Sequence, residues 1–215
     1  DEFVEICNQY DMRISISAAW IYKKKYIDQV GPILQMHNTL LPKFRGGASY
    51  SWMIMSGERE AATTLFVVDE GIDTGDIVMS KNYVFPDTCR TPLDYMHYAD
   101  SRAINDLIEF TDRFHETKRI PPTIQQDEIE ASYFPRLHTL THGCINWDWD
   151  RDEILRFICA FDEPYIGAHT RCTRHKEKLF FSRAFPAEQK TYFHPYQHGL
   201  IYNKVGQKIY VCCKG

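Results

Sequence analysis

Two rhythms of apolar residues run along this chain. Period-two or continuous apolar runs mark four strands: Arg13–Trp20, Ile33–His37, Ala62–Asp69 and Ile77–Phe85. Between them lie segments of helical spacing. DEFVEIC reads as the end of an amphipathic helix, and IYKKKYIDQV as a helix or turn that Gly31-Pro32 breaks. Ser49–Ser56 suits a helix with Tyr50, Met53 and Ile54 inward. Asp87-Thr88 is expected to cap a long helix, Pro92–Phe114, with Leu93, Met96, Ala99, Ile104, Leu107 and Ile108 on its expected inner face. Strands alternating with helices imply an α/β fold with a mostly parallel sheet and helices on both faces. The opening, a helix end followed directly by a strand, reads as a sheet whose front is missing.

The rhythm breaks at residues 117–145, where prolines and polar clusters read as a linker on the surface. A short helix, DRDEILRFICAF, follows from Asp150, and then HTRCT, KLFFSRAF, GLIYNK and QKIYVCC predict a small antiparallel β subdomain, a partial barrel. The expected organisation is a catalytic domain at 1–116, a linker at 117–149, and a helix plus β subdomain at 150–215.

Length and composition narrow the class. With 215 residues and 44% apolar content, the chain can bury a real core. A net charge of −4 argues against holding nucleic acid mainly through phosphate attraction. No apolar run is long enough to span a membrane, and the N-terminus does not read as a signal peptide. The seven cysteines form no CxxC pair and read as reduced thiols of a cytoplasmic protein.

Two positions stand out chemically. His37 ends a predicted strand, where doubly wound sheets place their ligands. Asp73, in an Asp-Thr-Gly-Asp turn, follows another strand. Each alone is more often structural; together they suit proton transfer and stabilisation of developing negative charge.

At these residues the chain resembles the N10-formyltetrahydrofolate-dependent formyltransferases. The family's His-x-Ser-Leu-Leu-Pro stands here as His37-Asn38-Thr39-Leu40-Leu41-Pro42, its Arg-Gly as Arg45-Gly46, and its Leu-Asp-Thr-Gly-Asp-Ile as Ile72–Ile77. The similarity continues through Ala131–Arg136, Ile145-Asn146-Trp147 and Asp162–Ala168, so it covers most of residues 12 to 185. It implies a Rossmann-like domain and an acyl transfer that uses N10-formyltetrahydrofolate as co-substrate and needs no metal. The family's catalytic asparagine, histidine and aspartate map onto Gln35, His37 and Asp73, with glutamine a departure that adds one methylene.

By family position, the segment from Ala19 (Trp20, Ile21, Tyr22) and the loop of Val67, Val68, Asp69, Glu70 and Ile72 line the folate pocket. Trp20 and Val68 read equally well as core. Lys23-Lys24-Lys25 is a solvated helix face or a contact for the folate's glutamate tail. Asn38, Lys43, Arg45 and Tyr50 are expected at the acceptor, with bracing of the loop as the alternative for Arg45.

Pro164-Tyr165-Ile166-Gly167-Ala168 resembles a run found in sugar-nucleotide formyltransferases, so the first expectation for the acceptor is a nucleotide-linked 4-amino sugar. Methionyl-tRNA is the second, a hydroxyornithine-type amine the third. The glutamine also leaves open a member that only binds folate or a sugar nucleotide. A homodimer is compatible with all of these. His138/His142 and His194/His198 lack the setting of a metal pair, and Trp147 and Trp149 are expected to pack the linker onto the first domain.

Overall fold

The computed structural model describes residues 2–18, 20–172, 176–187 and 192–215. In chain order it contains α1 (Glu2–Cys7), β1 (Ile14–Ile16), α2 (Lys24–Val30), β2 (Leu34–His37), β3 (Arg45–Gly46) and α3 (Ser49–Ser56). Then come β4 (Glu60–Val67), β5 (Ile77–Val84), α4 (Pro92–Thr117), β6 (Tyr133–Phe134), α5 (Thr139–His142) and α6 (Arg151–Ala160). The strands β7 (Ala168–Arg171), β8 (Lys178–Phe181), β9 (Ile201–Val205) and β10 (Lys208–Val211) complete the order, with a 3-10 turn at Pro195–Gln197 before β9. No helix among the described residues is long and apolar enough to cross a membrane.

The chain divides into two compact units. The first comprises Asp1–Ser49, Arg59–Asp87 and Met96–Arg136. It holds a four-stranded sheet in the order β1-β2-β4-β5. The α/β class and the four strands are as expected, but the parallel pairing is confined to β1 and β2, with Ile14 opposite Leu34. β4 runs antiparallel to β2, with His37 opposite Thr64, and β5 antiparallel to β4. A helix between β2 and β4 suggests a parallel crossover, yet an α/β alternation in sequence does not fix which way the next strand enters.

One core cluster joins Leu34 and Leu65 of the sheet with Val78 and with Phe110 of α4. A second joins Val30, Ile33 and Val68. The buried face of α4 in this unit is Ala99, Ala103 and Phe110, while Met96, Ile104 and Ile108, expected inward, are exposed. The two alanines are almost fully buried, so small residues rather than the branched ones mark the inner face. Residues 117–136, expected as linker, are built into this unit. Ile124 exchanges two 2.8 Å backbone hydrogen bonds with Ile77, and β6 pairs with β3 in parallel.

The second unit comprises Tyr50–Glu58, Thr88–Tyr95 and Leu137–Gly215. Its α6 opens with a capping box, in which the Asp150 side chain accepts from the Glu153 backbone and Glu153 reaches back to the Asp150 N–H. The helix buries Ile154, Phe157, Ile158, Cys159 and Ala160. Trp149 meets Phe157 edge-on, and Trp147 donates to Thr170 Oγ1 and meets Phe181 edge-on, so both tryptophans have partners within this unit. Asp162 accepts backbone N–H groups from Glu163 and Arg183, a tying role for the Asp162–Ala168 motif. The expected partial barrel is, among the described residues, two separate antiparallel ladders, β7-β8 and β9-β10. Thr173, the last residue of the expected HTRCT strand, lies outside the described residues.

Candidate active site

The site is built within the first unit, on the end of β2. Successive side chains of a strand face opposite ways. Leu34 and Met36 are buried, which leaves Gln35 and His37 together on the other face. Thr64, opposite His37, is buried and donates through Oγ1 to the Thr39 carbonyl at 2.8 Å, fixing where the chain leaves the strand. Thr39 Oγ1 in turn donates to the Lys43 carbonyl.

Asp73 lies in the turn between β4 and β5. It is buried (7% exposed) and adopts a left-handed backbone conformation, φ 56°. Aspartate tolerates that region better than most residues, at a cost of order 1–3 kcal/mol that the surroundings must offset. Gly75 makes the turn compact: an added Cβ would lie 1.6 Å from the Val67 carbonyl oxygen.

The turn brings the carboxylate to the strand end. Asp73 Oδ2 lies 3.8 Å from His37 Nδ1 and accepts the Gly46 backbone N–H at 2.8 Å. Asp73 Oδ1 accepts from Gln35 Nε2 at 3.4 Å. The imidazole, the carboxylate and the carboxamide expected from the sequence are therefore brought together.

Their protonation pattern follows from the partners. His37 Nε2 lies 3.0 Å from the Phe44 carbonyl oxygen. A carbonyl only accepts, so Nε2 carries a proton, and Nδ1, the nitrogen facing Asp73, is the atom able to take another one. Phe44 sits at φ 59°, which helps aim its carbonyl at the ring. Phe44 N–H donates to Ser132 Oγ, and its ring stacks on Phe134 at 5.2 Å.

Sequence reading found only some of the residues that brace this arrangement. Gly46 must be glycine: its φ is 99°, and a Cβ would meet the Phe134 carbonyl oxygen at 2.2 Å. Gln126 is buried and donates to the carbonyls of Asp73 (2.9 Å) and Gly75 (2.7 Å). Arg45, offered as an acceptor contact or a brace, is in bracing position. It is buried, donates twice to Gln126 Oε1, and grips both oxygens of Glu128. The Arg45 hydrogen bond holds the Glu128 carboxyl below the usual carboxylate range. Ser132 was visible only as part of a family motif; Gln126 and Glu128 carried no signal of their own.

The remaining expected residues divide. Trp20 and Ile21 keep large apolar surface in solvent (66% and 59% exposed), as does Ile72 (37%), which fits an apolar ligand on those segments. Ala19 lies outside the described residues. Tyr22 donates to Ser15 Oγ, and Trp20 meets its ring edge-on. Val68 is core, packed with Val30 and Ile33, and Val67 is half-buried beside the first cluster. Asp69 is a turn residue that accepts from Gly71 N–H and Thr74 Oγ1. Glu70 lies close enough to Lys24 to help its ion pair with Asp28 hold the ammonium above the ordinary lysine value.

Of the acceptor candidates, Asn38 is half-buried beside His37, Lys43 is exposed, and Tyr50 belongs to the second unit, where its ring meets Tyr95 at 6.0 Å. The histidines of the two sequence pairs are engaged otherwise: His142 Nδ1 accepts the His138 N–H, His194 caps the 3-10 turn, and His198 pairs with Asp148. Among the described residues no three metal-ligating side chains converge.

Residues 7–95, which include β2, β4 and the Asp73 turn, match the family model described as Formyl transferase. The methionyl-tRNA formyltransferase of Syntrophomonas wolfei is 31% identical over 150 residues, 70% of this chain and 46% of that protein. The chain spans about half the length of the curated relatives it matches. A solved methionyl-tRNA formyltransferase from Clostridium thermocellum superposes with a TM-score of 0.67 at 27% identity, covering 87% of this chain and 78% of the other. An N-formyltransferase from Helicobacter canadensis, in complex with folinic acid and dTDP-3-aminofucose, superposes with a TM-score of 0.58 at 25% identity, covering 69% and 54%. The matched region holds both strand ends and the turn that bring Gln35, His37 and Asp73 together, and residues 7–95 of this chain belong to the formyltransferase family.

Proposed function

We propose that the protein transfers a formyl group from N10-formyltetrahydrofolate to a primary amine, with the amino group of a nucleotide-linked 4-amino sugar as the acceptor. The observation that carries this reading is the triangle of half-buried Gln35 and His37 with buried Asp73, His37 Nδ1 being turned toward the carboxylate 3.8 Å away.

A neutral amine attacks the formyl carbon, and a new C–N bond forms while charge gathers on the formyl oxygen. The Gln35 carboxamide carries two N–H groups; one is given to Asp73, and the other is a donor for that oxygen. His37 Nδ1 takes the proton the amine must lose, and Asp73 Oδ2 steadies the resulting imidazolium. The proton then passes to the folate nitrogen as its bond to the formyl carbon breaks. The exposed apolar surface of Trp20, Ile21 and Ile72 suits the flat pterin.

For the acceptor, support comes from the dTDP-3-aminofucose in the Helicobacter canadensis complex, from the Pro164–Ala168 run and from the acidic charge balance. A second reading, methionyl-tRNA as acceptor, is favoured by the names of the curated relatives. The test is incubation with N10-formyltetrahydrofolate and a panel of dTDP- and UDP-4-amino sugars and charged initiator tRNA, followed by mass spectrometry for a gain of one CO. Turnover on a sugar that His37→Ala abolishes and that Asp73→Asn lowers by at least about 10²-fold, to a rate still measurable, is the expected result. Donor binding without transfer to any amine overturns it in favour of a binding protein.

A further inference from the structure

We propose that Gln126 is the positioning residue of the site, the part that holds the Asp73 turn where its carboxylate meets His37; this rests on the activity proposed above. A hydrogen-bond relay uses the whole carboxamide. Nε2 donates to the carbonyls of Asp73 and Gly75, at 2.9 and 2.7 Å. Oε1 accepts from Arg45 Nε and Nη2, at 3.1 and 2.9 Å. A guanidinium only donates and a peptide carbonyl only accepts, so the amide has one workable orientation. Both donors and both lone pairs are spent, and the residue is 5% exposed.

Other side chains fail one half of this task. Glutamate keeps the Arg45 contact but has nothing to give the two carbonyls. Methionine fills the space and does neither. Asparagine is shorter by one methylene.

The turn requires such a hold. Asp73 sits at φ 56°, a conformation that does not sustain itself. Gly75 lies so close to the Val67 carbonyl that a side chain there cannot add packing. What anchors the turn is polar: Gln126 at the two carbonyls and Gly46 N–H at the carboxylate. Gln126 is itself placed by the Ile77–Ile124 pairing two residues earlier and by Arg45, which Glu128 clamps from the other side. The relay runs Glu128, Arg45, Gln126, Asp73, His37. Its far end touches the reacting groups, while Gln126 acts only through Asp73.

The test is a double-mutant cycle with an independent structural readout. Gln126→Met is expected to lower kcat by about 10²-fold, the scale of a 1 Å misplacement, with KM for donor and acceptor within about threefold. In an Asp73→Asn background the same change is expected to cost less than about threefold, because the group it positions is gone. A merely structural role costs the same in both backgrounds and overturns the proposal. Amide exchange at Gly46 N–H, which donates to Asp73, reads the turn without any chemistry. It is expected to accelerate at least about tenfold in Gln126→Met, while Leu65 in the centre of β4 stays protected. Unchanged Gly46 protection overturns the proposal even if the wild-type protein transfers no formyl group, and that second result would instead remove the proposed activity. Should Gln126→Met not fold, Gln126→Glu preserves the volume and the Arg45 contact and is read the same way.

Discussion

At the scale of the residue, Gln35 turns on one methylene. Its amide reaches Asp73 Oδ1 at 3.4 Å, a long contact that leaves the second N–H as the group to face developing charge. Removing such a donor typically costs about 10²- to 10³-fold in kcat. Gln35→Leu is therefore expected to lose about 10²-fold at saturating substrates, while Gln35→Asn, which keeps a donor on the same face of β2, stays within about tenfold of the parent. Full activity in the leucine variant, by steady-state kinetics, would remove Gln35 from the mechanism. Cysteine chemistry gives a second residue-level expectation. Burial pushes the Cys159 thiol up, against a smaller opposing pull from Arg90. Cys144 is exposed. The thiolate is the nucleophile, so iodoacetamide at mild alkaline pH is expected to label Cys144 in the native protein and Cys159 only after denaturation, as peptide mass spectrometry will read. The folded Cys159 value lies above the unfolded one. The stability from burying it neutral is thus present below the ordinary thiol value of about 8.5 and lost as pH rises through the folded value.

At the scale of the element, α4 shows what a pattern can and cannot specify. Phe110 is 6% exposed and packs on Leu34, Leu65 and Val78. Phe110→Ala is expected to destabilise by about 3–5 kcal/mol, and Ile104→Ala, on the exposed face, by less than about 0.5 kcal/mol, both measured by urea unfolding. The opposite ranking would return Ile104 to the core. The helix itself was legible from its spacing, but its cap was misplaced: Thr91 Oγ1, not Asp87-Thr88, accepts the Asp94 N–H, and the Asp94 carboxylate accepts the Thr91 N–H. The helix's inner face was not legible, because apolar residues fall on two sides and the buried side carries the small Ala99 and Ala103 while the bulkier Ile104 and Ile108 are exposed. The four strands were legible for the same reason as the helix: alternation and β-branched runs are local signals. The antiparallel entry of β4 is a pairing decision, which no local signal carries. The site divides likewise. His37 and Asp73 were legible because a strand end and an Asp-Thr-Gly turn are written in neighbouring residues. Gln126 was not, since everything that defines it lies 51 to 81 positions away, at Gly75, Asp73 and Arg45.

At the scale of the whole molecule, charge separates the two acceptors. The chain carries −4 at neutral pH, and its lysines and arginines number 25 against 29 acidic residues. A protein that grips tRNA through six to ten phosphates loses about 10³- to 10⁵-fold in affinity between 50 and 200 mM salt. A sugar nucleotide offers only a pyrophosphate, so its salt dependence is far shallower. Formyl transfer measured side by side at these two salt concentrations is therefore diagnostic. With a dTDP-4-amino sugar, kcat/KM is expected to change by less than about tenfold. With charged initiator tRNA, any transfer seen at low salt is expected to collapse at high salt, because this chain has little net attraction to sustain it. Transfer to tRNA that survives high salt and exceeds transfer to every sugar would assign the acceptor to methionyl-tRNA. The Gln35, His37 and Asp73 chemistry proposed above would stand unchanged, because that mechanism asks the triangle to meet only the amine and the formyl group, whatever the amine is attached to.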